Sequence, residues 1–163
     1  METKKKYPYL PDNKEILYVS NDNPFINQAK EYARLYSLDK TMPTGAVLVK
    51  NDCIISFGAN GSNYHEEYGC FRVKNNIPTG QGYELCEGCS PVNHAEAKAI
   101  TAAHDLHIDI VDADLYLWGH YWCCKPCWDI MIHAGINNVY LLDKSEIFFD
   151  KNHPDNLVGK QFA

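Results

Sequence analysis

The chain has 163 residues, 45% of them hydrophobic and 22% charged, ordinary globular usage that excludes a disordered chain and suits about one domain. No apolar run approaches the ~18 residues that span a bilayer. The basic start Met1-Glu-Thr-Lys-Lys-Lys-Tyr-Pro has no apolar stretch behind it, so it does not read as a secretory signal and the expected compartment is the cytoplasm. A net charge of −6 with two arginines, Arg34 and Arg72, argues against holding nucleic acid by bulk electrostatics and leaves a small-molecule partner.

Residues 1–22 are polar, are broken by Pro8 and Pro11, and read as an extended lead-in. In it Lys4-Lys5-Lys6 reads as a solvated tail in preference to a phosphate hook. Asn23-Pro24 is a helix start, and Phe25, Ala29, Tyr32, Ala33 and Tyr36 recur at helical spacing, which predicts an amphipathic helix over 24–37. Two β-prone runs, 45–50 and 53–57, flank Asn51-Asp52 and predict a hairpin. Residues 58–92 are rich in Gly, Asn, Tyr and Pro with no sustained periodicity; a loop this long inside a compact domain is functional or tied down. A helix is predicted from Asn93 to His104, a strand over 114–118, a second helix over 124–134 ended by Gly135, and a strand over 138–142. Residues 145–163 carry no clear signal. The alternation of elements suggests a layered α/β domain.

The cysteines carry the functional signal. Six of the seven fall between Cys70 and Cys127, and in an intracellular chain that points to metal or reactive chemistry rather than disulfides. A catalytic zinc site takes three protein ligands and leaves one position for water. Cys124 and Cys127, at i and i+3, point the same way from a helix start, where the unpaired N–H groups and dipole favour thiolates. His94, at the start of the other helix, supplies a third ligand, and the ion then makes hydroxide available near neutral pH. Glu96 lies about 200° from His94 on a regular helix, but the looser first turn lets it reach the water and act as general base, then acid.

His-x-Glu followed by Cys-x-x-Cys is the signature of zinc-dependent nucleobase deaminases. On these residues, and on Gly45-Ala46-Val47, Gly58-Ala-Asn60-Gly61 and Ala134-Gly135-Ile136, the chain resembles the cytidine/deoxycytidylate deaminase family over roughly residues 24–143, and most resembles deoxycytidylate deaminases. The resemblance implies a three-layer α/β/α domain with a mixed central sheet and Zn²⁺ on His94, Cys124 and Cys127. It implies Glu96 as proton shuttle, backbone contacts to the base from Ala46 and Ala95, Asn60 on the sugar, and a homo-oligomer. The expected reaction is dCMP to dUMP and ammonia. Two departures stand out: Cys123 replaces the proline that usually precedes the first ligand cysteine, and Ser62-Asn63-Tyr64-His65 has no counterpart of the arginine often found beside the Asn-Gly turn.

Other readings stay open at this point. Cys123 competes as a ligand. Cys86-x-x-Cys89 and Cys124-x-x-Cys127 together could close a four-cysteine structural zinc, making a non-catalytic binding module. Cys70, Cys86 and Cys89, joined by His65, could hold a second, structural zinc that staples the loop, or be buried free thiols. Trp122 is a candidate base-stacking ring, whereas Trp118 and Trp128 suit core positions. His120 sits at a strand end near the site. Within deaminases, a nucleoside, a free base such as guanine, or a base in single-stranded nucleic acid are alternative substrates.

Overall fold

The structure is a computed structural model that describes residues 6–78 and 80–162; Lys4 and Lys5 of the basic tail lie outside them. Its elements run β1 (Ile16–Val19), α1 (Pro24–Tyr36), β2 (Gly45–Lys50), β3 (Cys53–Ala59), α2 (Asn63–Tyr68), α3 (Phe71–Lys74), three single-turn 3₁₀ segments between Tyr83 and Asn93, α4 (Ala95–Asp105), β4 (Asp114–Trp118), α5 (Lys125–His133), β5 (Val139–Leu142) and α6 (Ser145–Phe148).

One five-stranded sheet in the order β1-β5-β4-β2-β3 organises the chain. β1, β5 and β4 are parallel, and β2 runs antiparallel to both β4 and β3, so the sheet is mixed as expected. Because strand side chains alternate between faces, Ala46, Leu48, Leu115, Leu117 and Leu141 meet α4 and α5 on one side. Val47, Val49, Tyr116 and Trp118 meet Ile26, Ala29 and Ala33 of α1 on the other. That is the three-layer α/β/α arrangement.

The local signals explain the elements. Asn23 caps α1, its Oδ1 accepting from the amides of Phe25 at 2.9 Å and Ile26 at 3.0 Å. Asn51 and Asp52 both take positive φ, as a two-residue turn between β2 and β3 requires. Gly58 lets α4 close on β3: a Cβ there would lie 2.4 Å from the Ala95 carbonyl oxygen. That contact, with Ser56 Oγ donating to the Ala99 carbonyl at 2.6 Å, fixes where α4 begins.

Three features depart from the sequence expectations. The lead-in contains a strand, β1, which pairs in parallel with β5. β3 extends to Ala59, so the insert starts later than residue 58. The insert is not bare loop but short helices and turns. Cys70, Cys86 and Cys89 form its own small buried cluster, with Tyr64 and Tyr83 packed on it. No helix among the described residues is long and apolar enough to cross a membrane.

Candidate active site

Two helix N-termini converge on one point. His94 is the residue before α4 and Cys124 the residue before α5, both with extended backbone and neither using its side chain as a cap. Cys127 follows in the first turn of α5. The Sγ atoms of Cys124 and Cys127 lie 3.4 and 3.3 Å from His94 Nδ1, close to the ~3.5–3.8 Å edge of a tetrahedron built on ordinary zinc–sulfur and zinc–nitrogen bonds. The far nitrogen, His94 Nε2, is 2.9 Å from the Cys89 carbonyl oxygen. A proton there leaves the Nδ1 lone pair facing the sulfurs, the usual outer partner of a metal-bound histidine. The donor set therefore fits zinc with one position left for water.

Glu96 joins these residues because His94 stands outside the helix. The 100° step per residue does not apply across that junction, and Glu96 comes to line the same cavity as His94, Ala95 and Cys124. Glu96 is 5% exposed, and burial holds its carboxyl pKa above the usual carboxylate range. In the cysteine pair, the hydrogen bond from Cys127 and the nearby imidazole lower Cys124 to about 5, while the hydrogen bond with Cys124 and burial raise Cys127.

The remaining expected residues separate. Trp122 lines the cavity, with its indole Nε1 buried and lacking a partner. Asn60 also lines it, but its Oδ1 accepts from Ser37 Oγ at 2.6 Å and the Thr44 amide at 2.8 Å, and its Nδ2 donates to the Met42 carbonyl at 2.9 Å. One amide hydrogen is left. Ala46 is not brought to the cavity: it is fully buried in the sheet between β3 and β4, and Thr44 lines the cavity instead. Cys123 is packed in the core, outside the ligand cluster, with burial holding its thiol protonated. Trp118 and Trp128 belong to the two faces of the core.

A second cluster lies beside the first. His65, Cys70, Cys86 and Cys89 bring their ligand atoms within 4.8 Å of one another. His65 Nε2 is 3.2 Å from Cys86 Sγ and 3.5 Å from Cys89 Sγ, and Cys70 and Cys89 sulfurs are 3.4 Å apart. The other ring nitrogen, Nδ1, faces Asp39 Oδ2 at 3.7 Å. Burial opposes charge on His65, but Cys70, Asp39 and Cys86 outweigh it and raise its pKa to about 9. Gly88 allows the ring to sit there, since a Cβ would fall 2.4 Å from His65 Cδ2. Four buried donors, three of them sulfur, fit a closed zinc set. The grouping rules out one four-cysteine site made of both Cys-x-x-Cys pairs, because each pair joins a different histidine.

Sequence reasoning missed Asp39, Thr44, Arg72 and Tyr83 as cavity residues. All but Thr44 lie away from any recognised motif. Their only signal is composition: Arg72 is one of two arginines in the chain. His120, left open, lines the cavity as well; burial lowers its pKa to about 3, so it is neutral.

No curated protein matches the chain. Among solved structures it is similar to the dCMP deaminase from cyanophage S-TIM5, at 22% identity over 74% of this chain and 82% of that one, TM-score 0.49. It is also similar to guanine deaminase from Bacillus subtilis, at 24% identity over 80% of this chain and 71% of that one, TM-score 0.46. A third is a diaminohydroxyphosphoribosylaminopyrimidine deaminase/reductase from Thermotoga maritima, at 26% identity over 74% of this chain and 29% of that one, TM-score 0.45. The sequence matches the cytidine and deoxycytidylate deaminase zinc-binding region over residues 19–143, and with two His/Cys clusters that fit Zn²⁺ the chain belongs to that family of zinc-dependent deaminases.

Proposed function

We propose that the protein deaminates a cytosine nucleotide, converting dCMP to dUMP and ammonia, with His94, Cys124 and Cys127 as the metal ligands and Glu96 as the proton carrier. The observation that carries this reading is that His94, Glu96 and Cys124 line one cavity, with Cys127 Sγ behind them, 3.3 Å from His94 Nδ1. Zinc held there supplies Lewis acidity toward water. Glu96 takes a proton from the attacking water and delivers it to N3 of the ring. It then takes the proton of the new C4 hydroxyl and passes it to the departing amine, leaving the C4 carbonyl. A C4–O bond forms, the C4–N bond breaks, and water is consumed as ammonia leaves. The backbone of Ala95 meets the base, Trp122 packs against it, and the remaining amide hydrogen of Asn60 meets a sugar hydroxyl. Cys70, Cys86, Cys89 and His65 hold a second, structural zinc. The acidic charge favours a free nucleotide over a polymer, and a cytoplasmic homo-oligomer goes with the reading. Exposed Tyr36, Ile54 and Phe57 beside β3, the edge strand of the sheet among the described residues, support assembly.

Ammonia release from a panel of nucleotides, nucleosides, free bases and oligonucleotides tests the substrate. dCMP is expected to be turned over fastest; preference for guanine or an oligonucleotide overturns the substrate assignment. Glu96→Ala is expected to keep its zinc and lose about 10²–10⁴-fold in kcat. Full activity in that variant removes Glu96 from its role.

A further inference from the structure

The cavity that holds His94 and Glu96 adjoins a second one, of about 170 Å³. Asp39, Met42, Arg72 and Cys89 line both. Arg72 therefore stands at the junction, and Lys151, from the stretch after α6, lines the second cavity alone. We propose that Arg72 and Lys151 form a subsite for the 5′-phosphate of the substrate, so that the enzyme selects a nucleoside monophosphate over a nucleoside or free base. This rests on the deamination reading above and names the residues that would make its substrate a nucleotide.

The Arg72 guanidinium is held in place before any ligand arrives. Its Nε donates to the Gln81 carbonyl at 2.8 Å and its Nη2 to the Pro78 carbonyl at 3.3 Å. Its plane lies over the Tyr83 ring, 4.4 Å from the centroid. Tyr83 in turn meets His94 edge-on at 5.0 Å, so the cation sits one ring beyond the metal ligand. The two carbonyls use two of the five guanidinium N–H groups, and the rest of the fork remains for neighbouring Cys89 and for the cavity. Lys151 Nζ donates to the Ile77 carbonyl at 3.2 Å, which ties the C-terminal stretch to the insert.

Neither cation enters an ion pair among the described residues. Asp39 is the one carboxylate bordering both cavities, and its charge is engaged: Oδ1 accepts from the Thr41 and Met42 amides, and Oδ2 faces His65. His120, the other histidine of the cavity wall outside the clusters, is neutral. A planar, fixed guanidinium with a lysine point charge on the same cavity is the donor set that suits a phosphate dianion. A free base would leave both charges without a partner. The competing account is that Arg72 only balances the thiolates of the second cluster through Cys89.

Steady-state kinetics on dCMP and deoxycytidine separate the two. The wild type is expected to favour dCMP in kcat/KM by about 100-fold, and Arg72→Gln to lose about 10–100-fold on dCMP, mainly in KM. The loss on deoxycytidine is expected to be at least about tenfold smaller, with zinc content unchanged. Lys151→Gln shows the same selectivity at smaller size. Equal losses on both substrates, or loss of zinc from Arg72→Gln, assign Arg72 to the second cluster and overturn the proposal. Wild type that uses deoxycytidine as well as dCMP overturns the subsite and leaves deamination standing. If neither cytosine compound releases ammonia, deamination of cytosine falls. Calorimetry with dUMP and deoxyuridine then judges the subsite alone: tighter dUMP binding that Arg72→Gln abolishes supports it, and equal binding ends it.

Discussion

The two His/Cys clusters are neighbours, but different parts of the molecule hold them in place. The three-residue cluster hangs on the framework: His94 and Cys124 precede helices packed on the sheet, and Gly58 and Ser56 lock α4 to β3. The four-residue cluster sits in an insert whose helices have four to six residues and little apolar surface to bury. Such short helices do not hold themselves. The first cluster is therefore organised by the fold and, with zinc bound, has an open position, whereas on the proposed reading the second, with four donors, is closed and staples the insert around it. The contact between them runs from the Cys89 carbonyl to His94 Nε2.

The sharpest way to break this contrast is His94→Ala. It removes one of three ligands, and turnover is expected to fall by about 10³-fold or more as the Lewis acid is lost. Metal analysis is expected to drop from two zinc ions to one, with thermal stability nearly kept, because the sheet and α4 do not depend on the imidazole. A variant that keeps both ions, or one that unfolds, contradicts a framework-held open site.

Cys86→Ser probes the other half and should be milder for catalysis. The second zinc is expected to be lost, residues 63–92 to become the first site of limited proteolysis, and activity to fall by about 10–100-fold, the usual effect of disturbing an outer partner of a metal ligand. The fall comes through Cys89, whose carbonyl then no longer fixes His94. An insert that stays protease-resistant without metal shows that something other than the cluster staples it.

The same contrast decides what could be read from sequence. His94, Glu96, Cys124 and Cys127 were legible because helix starts have local signals and the ligands sit at those starts. α1, the β2–β3 hairpin, α4, β4, α5 and β5 were legible from periodicity and turn residues for the same reason. β1 was not: four residues beyond Pro8 and Pro11 become a strand only by pairing with β5, 123 positions later in the register from Ile16 to Val139. The insert showed no period because its buried residues gather around Cys70, Cys86 and Cys89 and not along an apolar stripe. His65 was tied to its cysteines only as one option, and Asp39, behind it, gave no hint. Ala46 was placed at the cavity by resemblance, but the strand ladders on both sides keep it in the core. Arg72 was visible as a scarce residue; its place between two cavities depends on Tyr83, Gln81 and the C-terminal stretch, contacts that no local pattern encodes.

Asp39→Asn sharpens the contrast with the smallest change. Asp39 does two things: Oδ1 accepts the Thr41 and Met42 amides at 3.0 and 3.1 Å, and Oδ2 faces His65 Nδ1. Asparagine keeps the side-chain shape and an oxygen for the amides, so the turn before Thr44 should stay in place. What it removes is the negative charge that makes His65 a stronger donor. Zinc affinity of the four-residue cluster is therefore expected to fall by about tenfold, read by competition with a chromophoric chelator, while the three-residue cluster and kcat change by less than about threefold. If both clusters weaken together, the Cys89–His94 link carries more than orientation, and the two sites are one cooperative unit. If neither moves, the 3.7 Å separation between Asp39 and His65 is too long to matter, and the second cluster is held by its sulfurs alone.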